Sequence, residues 1–145
     1  MFAAISPAIA ELIEDCLARL AMGNIKVVVQ QARDVMKAAD VVLSASGTAT
    51  LEVSLVKRPM VVAYKVSPIT YRIARLLVKT DFIALPNLLI GREVVPELLQ
   101  HEANPQILAA KLIRYFDQPE LADALHAEFT DLHHALRQNA STRDR

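Results

Sequence analysis

The sequence predicts an α/β fold: a parallel sheet with flanking helices, followed by a helical C-terminal segment. Three observations lead there. Short runs rich in Val, Ile and Leu alternate with stretches whose apolar residues recur every three or four positions, the pattern of consecutive β-α units. The runs are continuously apolar rather than alternating, which suits strands covered on both faces. Beyond Gly91 only the helical spacing persists.

The elements follow in order. Residues 2–5 (Phe-Ala-Ala-Ile) form a short apolar strand candidate. Ser6-Pro7 then suits a helix start, with Ser as N-cap and Pro at the first helical position. Ile9, Leu12, Ile13, Leu17 and Leu20 carry that helix to the stop at Gly23-Asn24. Ile25 to Val29 is β-branched and reads as a strand. A short helix is expected over 32–39, a buried strand over 41–43, and a turn of small residues at Ser44-Ala-Ser-Gly-Thr48. Helical spacing resumes from Ala49 to Lys57 and breaks at Arg58-Pro59. Met60 to Tyr64 is a strand, Ser67-Pro68 opens a helix over 69–78, and Asp81 to Leu85 is a fifth apolar run closed by Pro86-Asn87. Helices are then expected over 95–100, 106–116 and 121–137. Residues 1–137 read as one domain and residues 138–145 as a polar, disordered tail.

Composition narrows the function. A chain of 145 residues supports one domain at most. Lys and Arg number 16 against 16 Asp and Glu, so bulk charge does not drive polyanion binding and no nucleic-acid partner is expected. The lone Cys16 excludes an internal disulfide and a cysteine-rich zinc site. No apolar run reaches the roughly 18 residues of a spanning helix, and the start lacks the basic region of a secretory signal. Only 3 Gly stand against 7 Pro, few for a complete nucleotide-binding domain.

The segment richest in chemistry is Ser44-Ala-Ser-Gly-Thr-Ala-Thr-Leu-Glu52. A strand ends, small residues turn, and a helix begins, which is where an α/β sheet binds anions. Ser46 and Gly47 let a phosphate approach the backbone, and Thr48 adds a hydroxyl. Glu52 lies four residues on, hence on the same helix face, where a carboxylate can accept hydrogen bonds from a ribose diol. The plainer alternative is an ordinary strand-to-helix turn with a dipole-favoured acid. A second cluster, Pro86-Asn87-Leu-Leu-Ile-Gly-Arg-Glu93, follows the fifth apolar run and so is expected at the same sheet edge if all strands are parallel. Asn87 offers donor and acceptor groups and Arg92 a phosphate-matching fork; the alternative is a turn with a solvated Arg-Glu pair. Arg72, Arg75 and Lys79 fall on one face of the 69–79 stretch, a face suited to anionic headgroups or simply to solvent. The four histidines lack further convergent ligands nearby, so no metal is expected.

Residues 44–52, the string Arg58-Pro-Met-Val-Val-Ala-Tyr-Lys65, and Leu77-Val-Lys-Thr-Asp-Phe-Ile-Ala-Leu-Pro-Asn-Leu-Leu-Ile-Gly-Arg-Glu93 together resemble the C-terminal half of the lipid-A-disaccharide synthase family. The likeness runs from about residue 25 to 138, and the 77–93 string is its specific part. It implies a GT-B glycosyltransferase with two Rossmann-like domains and a cleft between them. That family joins UDP-diacylglucosamine to diacylglucosamine 1-phosphate, inverts the anomeric centre, releases UDP and needs no cofactor. It works in the bacterial cytoplasm, peripheral on the inner membrane, so an anionic membrane surface is an implied partner; oligomerisation stays open. By similarity Ser46, Gly47 and Thr48 sit by the diphosphate, Glu52 by the ribose and Asn87 near the nucleotide-sugar. Arg92 and Glu93 are less specific candidates, and Arg72, Arg75 and Lys79 form the membrane patch.

The sequence departs from the family pattern in several places. The N-terminal domain has no counterpart here, so no catalytic residue is assigned and the base is expected elsewhere; the chain reads as an inactive fragment. The first strand and glycine loop of the C-terminal domain are also missing, which accounts for the low Gly count. In the order 3-2-1-4-5-6 that strand is central, so the strands at 2–5 and 41–43 should expose unpaired edges or pair directly. The family's closing helix after Gln138–Ala140 is absent as well. The competing readings are another GT-B UDP-sugar transferase or epimerase, and a non-catalytic truncated product.

Overall fold

A computed structural model describes residues 1–45, 47–67 and 82–143, with side chains to residue 139. The expected helix over 69–78, and with it Arg72, Arg75 and Lys79, lies outside the described residues, as does Ser46. The chain divides into two compact units, Met1–Ala39 and Asp40–Arg145.

In the first unit, β1 (Phe2–Ala4) and β2 (Val27–Val29) pair in parallel, Phe2 opposite Val27 and Ala4 opposite Val29. Helix α1 (Pro7–Arg19) connects them and α2 (Ala32–Ala38) follows. Pro7 opens α1, where its missing N–H costs nothing, and Ser6 Oγ accepts the Ile9 N–H at 3.4 Å. Burial is thin: Ala4 and Ala10 are the buried residues of this unit. Leu12 and Leu20 are 60% and 67% exposed.

The second unit holds β3 (Val42–Ala45), α3 (Thr48–Leu55), β4 (Met60–Tyr64), α4 (Leu85–Ile90), β5 (Glu97–Leu99), a 3-10 turn over Gln100–Glu102, α5 (Pro105–Asp117) and α6 (Pro119–Arg143). The strands form a parallel sheet in the order β3-β4-β5. β4 is central, and its Met60, Val61 and Val62 are at most 1% exposed, as its unbroken apolar run requires. α5 packs on β4, and α6 against α3, α4 and α5. Phe129 of α6 is fully buried. Among the described residues, β1 and β3 each have a single ladder partner, so each exposes one of the open edges expected from the sequence.

Three expectations need correction. The run ending at Leu85 is not a strand over residues 82–85: the N–H groups of Ile83 and Ala84 donate to the Glu97 carboxylate and that of Leu85 to Thr50 Oγ1, which takes all three from a ladder. Pro86, near the N-terminus of α4, suits a helix start. Residues 95–99 are not helical, and only Gln100 enters the 3-10 turn; Val62 N–H donates to Pro96 O at 2.9 Å and the chain continues into β5. Finally, α6 continues to Arg143, past the expected helix end at residue 137, because the polar residues beyond Arg137 include no Gly or Pro to stop it.

Candidate functional site

Parallel strands bring their C-terminal ends to one edge, where the chain leaves β3, β4 and β5. Gly47 starts α3 with φ 125° and ψ −160°, a conformation essentially restricted to glycine. Among the described residues no side chain caps α3. Thr50 N–H donates back to Gly47 O at 3.1 Å, whereas the Thr48 and Ala49 N–H groups find no acceptor among the described residues. Free first-turn donors and the positive end of the helix dipole together favour an anion. Thr48 and Glu52 are both exposed one turn apart, the face expected from their spacing. The Glu52 carboxylate has no hydrogen-bond partner among the described residues.

Beneath this surface α3 turns Thr50, Val53 and Ser54 inward, all fully buried. The Thr50 hydroxyl donates to Gly47 O at 2.7 Å and accepts the Leu85 N–H at 3.2 Å. Ser54 donates to Leu51 O at 2.7 Å. On the far side of the edge, the Gln100 carboxamide pairs with the backbone of Val66: Oε1 accepts the N–H at 2.9 Å and Nε2 donates to the carbonyl at 3.1 Å. This pair fixes the chain where it leaves β4.

Asn87 is placed differently from expectation. It is fully buried, and its carboxamide is saturated. Oδ1 accepts the N–H groups of Val94 (2.8 Å) and Val95 (3.0 Å); Nδ2 donates to Val95 O (2.9 Å) and Glu97 Oε1 (2.8 Å). All four of its hydrogen-bonding capacities are used. The 86–93 stretch leads into β5 instead of following a strand, so the expected edge does not apply to it. Arg92 forms an ion pair with Glu128 of α6. Both line a cavity of about 320 Å³ with Glu93, Pro96, Tyr115 and Leu125. Tyr115 marks the end of the sheet where β4 begins: its hydroxyl donates to Met60 O at 3.3 Å. Burial pushes its phenol up to about 12, with Arg114 opposing weakly.

The structure thus brings Gly47, Thr48 and Glu52 together and separates Arg92 from them. Thr50, Glu97 and Gln100 escaped the sequence reading. Thr50 sits inside the small-residue string and the helix expected from Ala49, while Glu97 and Gln100 fall within a stretch expected to be helical. Among the described residues no group of His, Cys, Asp or Glu is placed to hold a metal. No helix there is long and apolar enough to cross a membrane.

A parallel sheet with helices over it, and a glycine-led helix starting at the strand ends, define a Rossmann-like α/β protein. The family described as Lipid-A-disaccharide synthetase matches residues 1–145. Lipid-A-disaccharide synthase of Cellvibrio japonicus is 55% identical over 111 residues, covering 77% of this chain and 29% of the relative. The Erwinia tasmaniensis enzyme of that name is 56% identical over 108 residues, covering 74% and 28%. One from Neisseria meningitidis is 48% identical over 112 residues, covering 77% and 29%. The chain belongs to the lipid-A-disaccharide synthetase family. It spans under a third of the length of these curated relatives.

Proposed function

We propose that this chain supplies the nucleotide-binding part of a lipid-A-disaccharide synthase. The whole enzyme is a glycosyltransferase that moves diacylglucosamine from UDP-diacylglucosamine to diacylglucosamine 1-phosphate. The observation that carries the reading is the start of α3 behind Gly47, which no described side chain caps, with Thr48 and Glu52 exposed beside it. Displacement at the anomeric carbon leaves negative charge on departing UDP. Donors already aimed at that charge lower the barrier, each worth about 3 kcal/mol in enzymes that use them. Ser46, Gly47 and Thr48 take the diphosphate in this scheme. Glu52 accepts from the ribose and takes no part in proton transfer, because the ribose is remote from the reacting carbon. Asn87 acts through the wall it builds, without touching the ligand. The general base lies outside residues 1–145, and this chain alone is inactive. The family reading also puts the enzyme at the cytoplasmic face of the inner membrane, with Arg72, Arg75 and Lys79 as candidate contacts for anionic lipid.

UDP titration of the chain, followed by the ligand's NMR signals, tests this. Binding is expected, and Glu52→Ala should weaken it roughly 10- to 100-fold by removing charge-assisted hydrogen bonds. Equal dissociation constants for the two proteins would remove Glu52 from the site. Absence of binding by a well-dispersed wild-type spectrum would overturn the reading for this chain.

A further inference from the structure

We infer that Glu97 is a positioning residue for the α3 anion site and that it acts through Thr50. Glu97 opens β5, on the strand farthest in sheet order from β3 and its loop. Its Oε2 accepts the Ile83 N–H at 2.8 Å, and its Oε1 accepts the Ala84 N–H at 3.0 Å and Asn87 Nδ2 at 2.8 Å. The next N–H along the chain, that of Leu85, is held by Thr50 Oγ1 at 3.2 Å. Three consecutive backbone donors are therefore fixed by two side chains from different elements. A carboxylate is the right group for its share: it offers two acceptor oxygens, and its charge lies at the N-terminus of α4, where the dipole favours it.

The Thr50 hydroxyl has one proton, and it points at Gly47 O over 2.7 Å. Gly47 O and the Thr48 N–H belong to the same planar trans peptide and face opposite ways. Holding the carbonyl inward therefore aims the Thr48 N–H outward, toward the place an anion takes. Gly47 lacks the side chain that restricts φ and ψ elsewhere, so this plane is held from Thr50, by its hydroxyl at 2.7 Å beside its own N–H at 3.1 Å. The path from Glu97 runs through the Ala84–Leu85 backbone and the Thr50 hydroxyl to the Gly47–Thr48 peptide, every link a hydrogen bond or a covalent bond. The ligand side of the inference rests on the nucleotide reading above; the path itself does not.

The test uses the 145-residue chain with Glu97→Gln, Thr50→Val, Thr50→Ser and the Glu97→Gln/Thr50→Val pair, reading the Thr48 amide resonance and UDP affinity. In Glu97→Gln an amide N–H₂ opposes the Ile83 N–H. A shift of the Thr48 amide and a roughly 3- to 10-fold weaker UDP complex are expected. Thr50→Val should do the same and Thr50→Ser should restore both readings. The double variant should show no further loss, because both substitutions break one path. An unmoved Thr48 amide in Glu97→Gln, or additive losses in the pair, would overturn the inference, even if the melting temperature falls. If Glu97→Gln does not fold, the Thr50 pair decides: equal Thr48 resonances in Thr50→Val and Thr50→Ser overturn it. If wild type does not bind UDP, the nucleotide reading fails, and the Thr48 amide still reports on the path.

Discussion

At Gly47 a Cβ would meet no atom within 4 Å, yet φ of 125° excludes an L side chain comfortably. Gly47→Ala should therefore destabilise the chain by about 1–3 kcal/mol through the backbone alone, measured by thermal melting. Asn87→Ala should cost about 2–4 kcal/mol, since it strands the buried N–H of Val95 and takes the acceptor from that of Val94; a melting temperature equal to wild type would contradict its buried placement. Tyr115 gives a pH signature. Its phenol is raised from 10.0 to about 12, so the folded chain binds the proton more tightly than the unfolded one. The resulting stability is complete below pH 10 and falls as pH rises toward 12. Tyr115→Phe should flatten that alkaline fall in a denaturant series. The placement of Gly47, Thr48 and Glu52 at an exposed helix start was legible because a helix start depends on local order. Thr50 and Glu97 were not, because their partners lie 35 and 13–14 residues away and no local pattern encodes them.

Helix ends show what scarce glycine does to the elements. α3 closes with the Lys57 N–H on Ser54 O at 3.0 Å and the Arg58 N–H on Val53 O at 3.3 Å, a Schellman motif. α1 closes the same way, with the Ala21 N–H on Ala18 O at 3.1 Å and the Met22 N–H on Leu17 O at 2.9 Å. The motif wants glycine at the left-handed position, but Lys57 and Ala21 occupy it at φ 58° and 54°; only α4 ends on a glycine, Gly91 at φ 81°. Lys57→Gly should raise stability by about 0.5–1 kcal/mol, relief of left-handed strain outweighing the added freedom of the unfolded chain. A lower melting temperature would refute this. The same scale explains the misread elements. Periodicity recognises β4 because its packing is repetitive along the strand. It fails over 82–85, where side chains from β5 and α3 take the N–H groups of residues 83–85 that a strand would use, and over 95–99, where the backbone joins the β4 ladder.

Across the whole chain, burial is uneven. The first unit buries two alanines, whereas the second holds Met60, Val61, Val62, Val95 and Phe129 at 1% exposure or less. Local opening follows such differences. Amides of β1 and β2 should exchange with solvent well before those of Val61 and Val62; equal protection would contradict the burial pattern. The parallel α/β class was readable from the alternation of runs. The division at Ala39 was not, since composition does not change there. α4, finally, has only 6 residues, too few for a helix to persist unaided. Its N-terminal donors are satisfied by Thr50 and by Glu97, the latter downstream of α4 itself. During synthesis the ribosome must therefore release residue 97 before residues 83–90 acquire their native form. The Gly47–Thr48 turn, made earlier, thus waits on a strand made later for the contact that reaches it through Thr50.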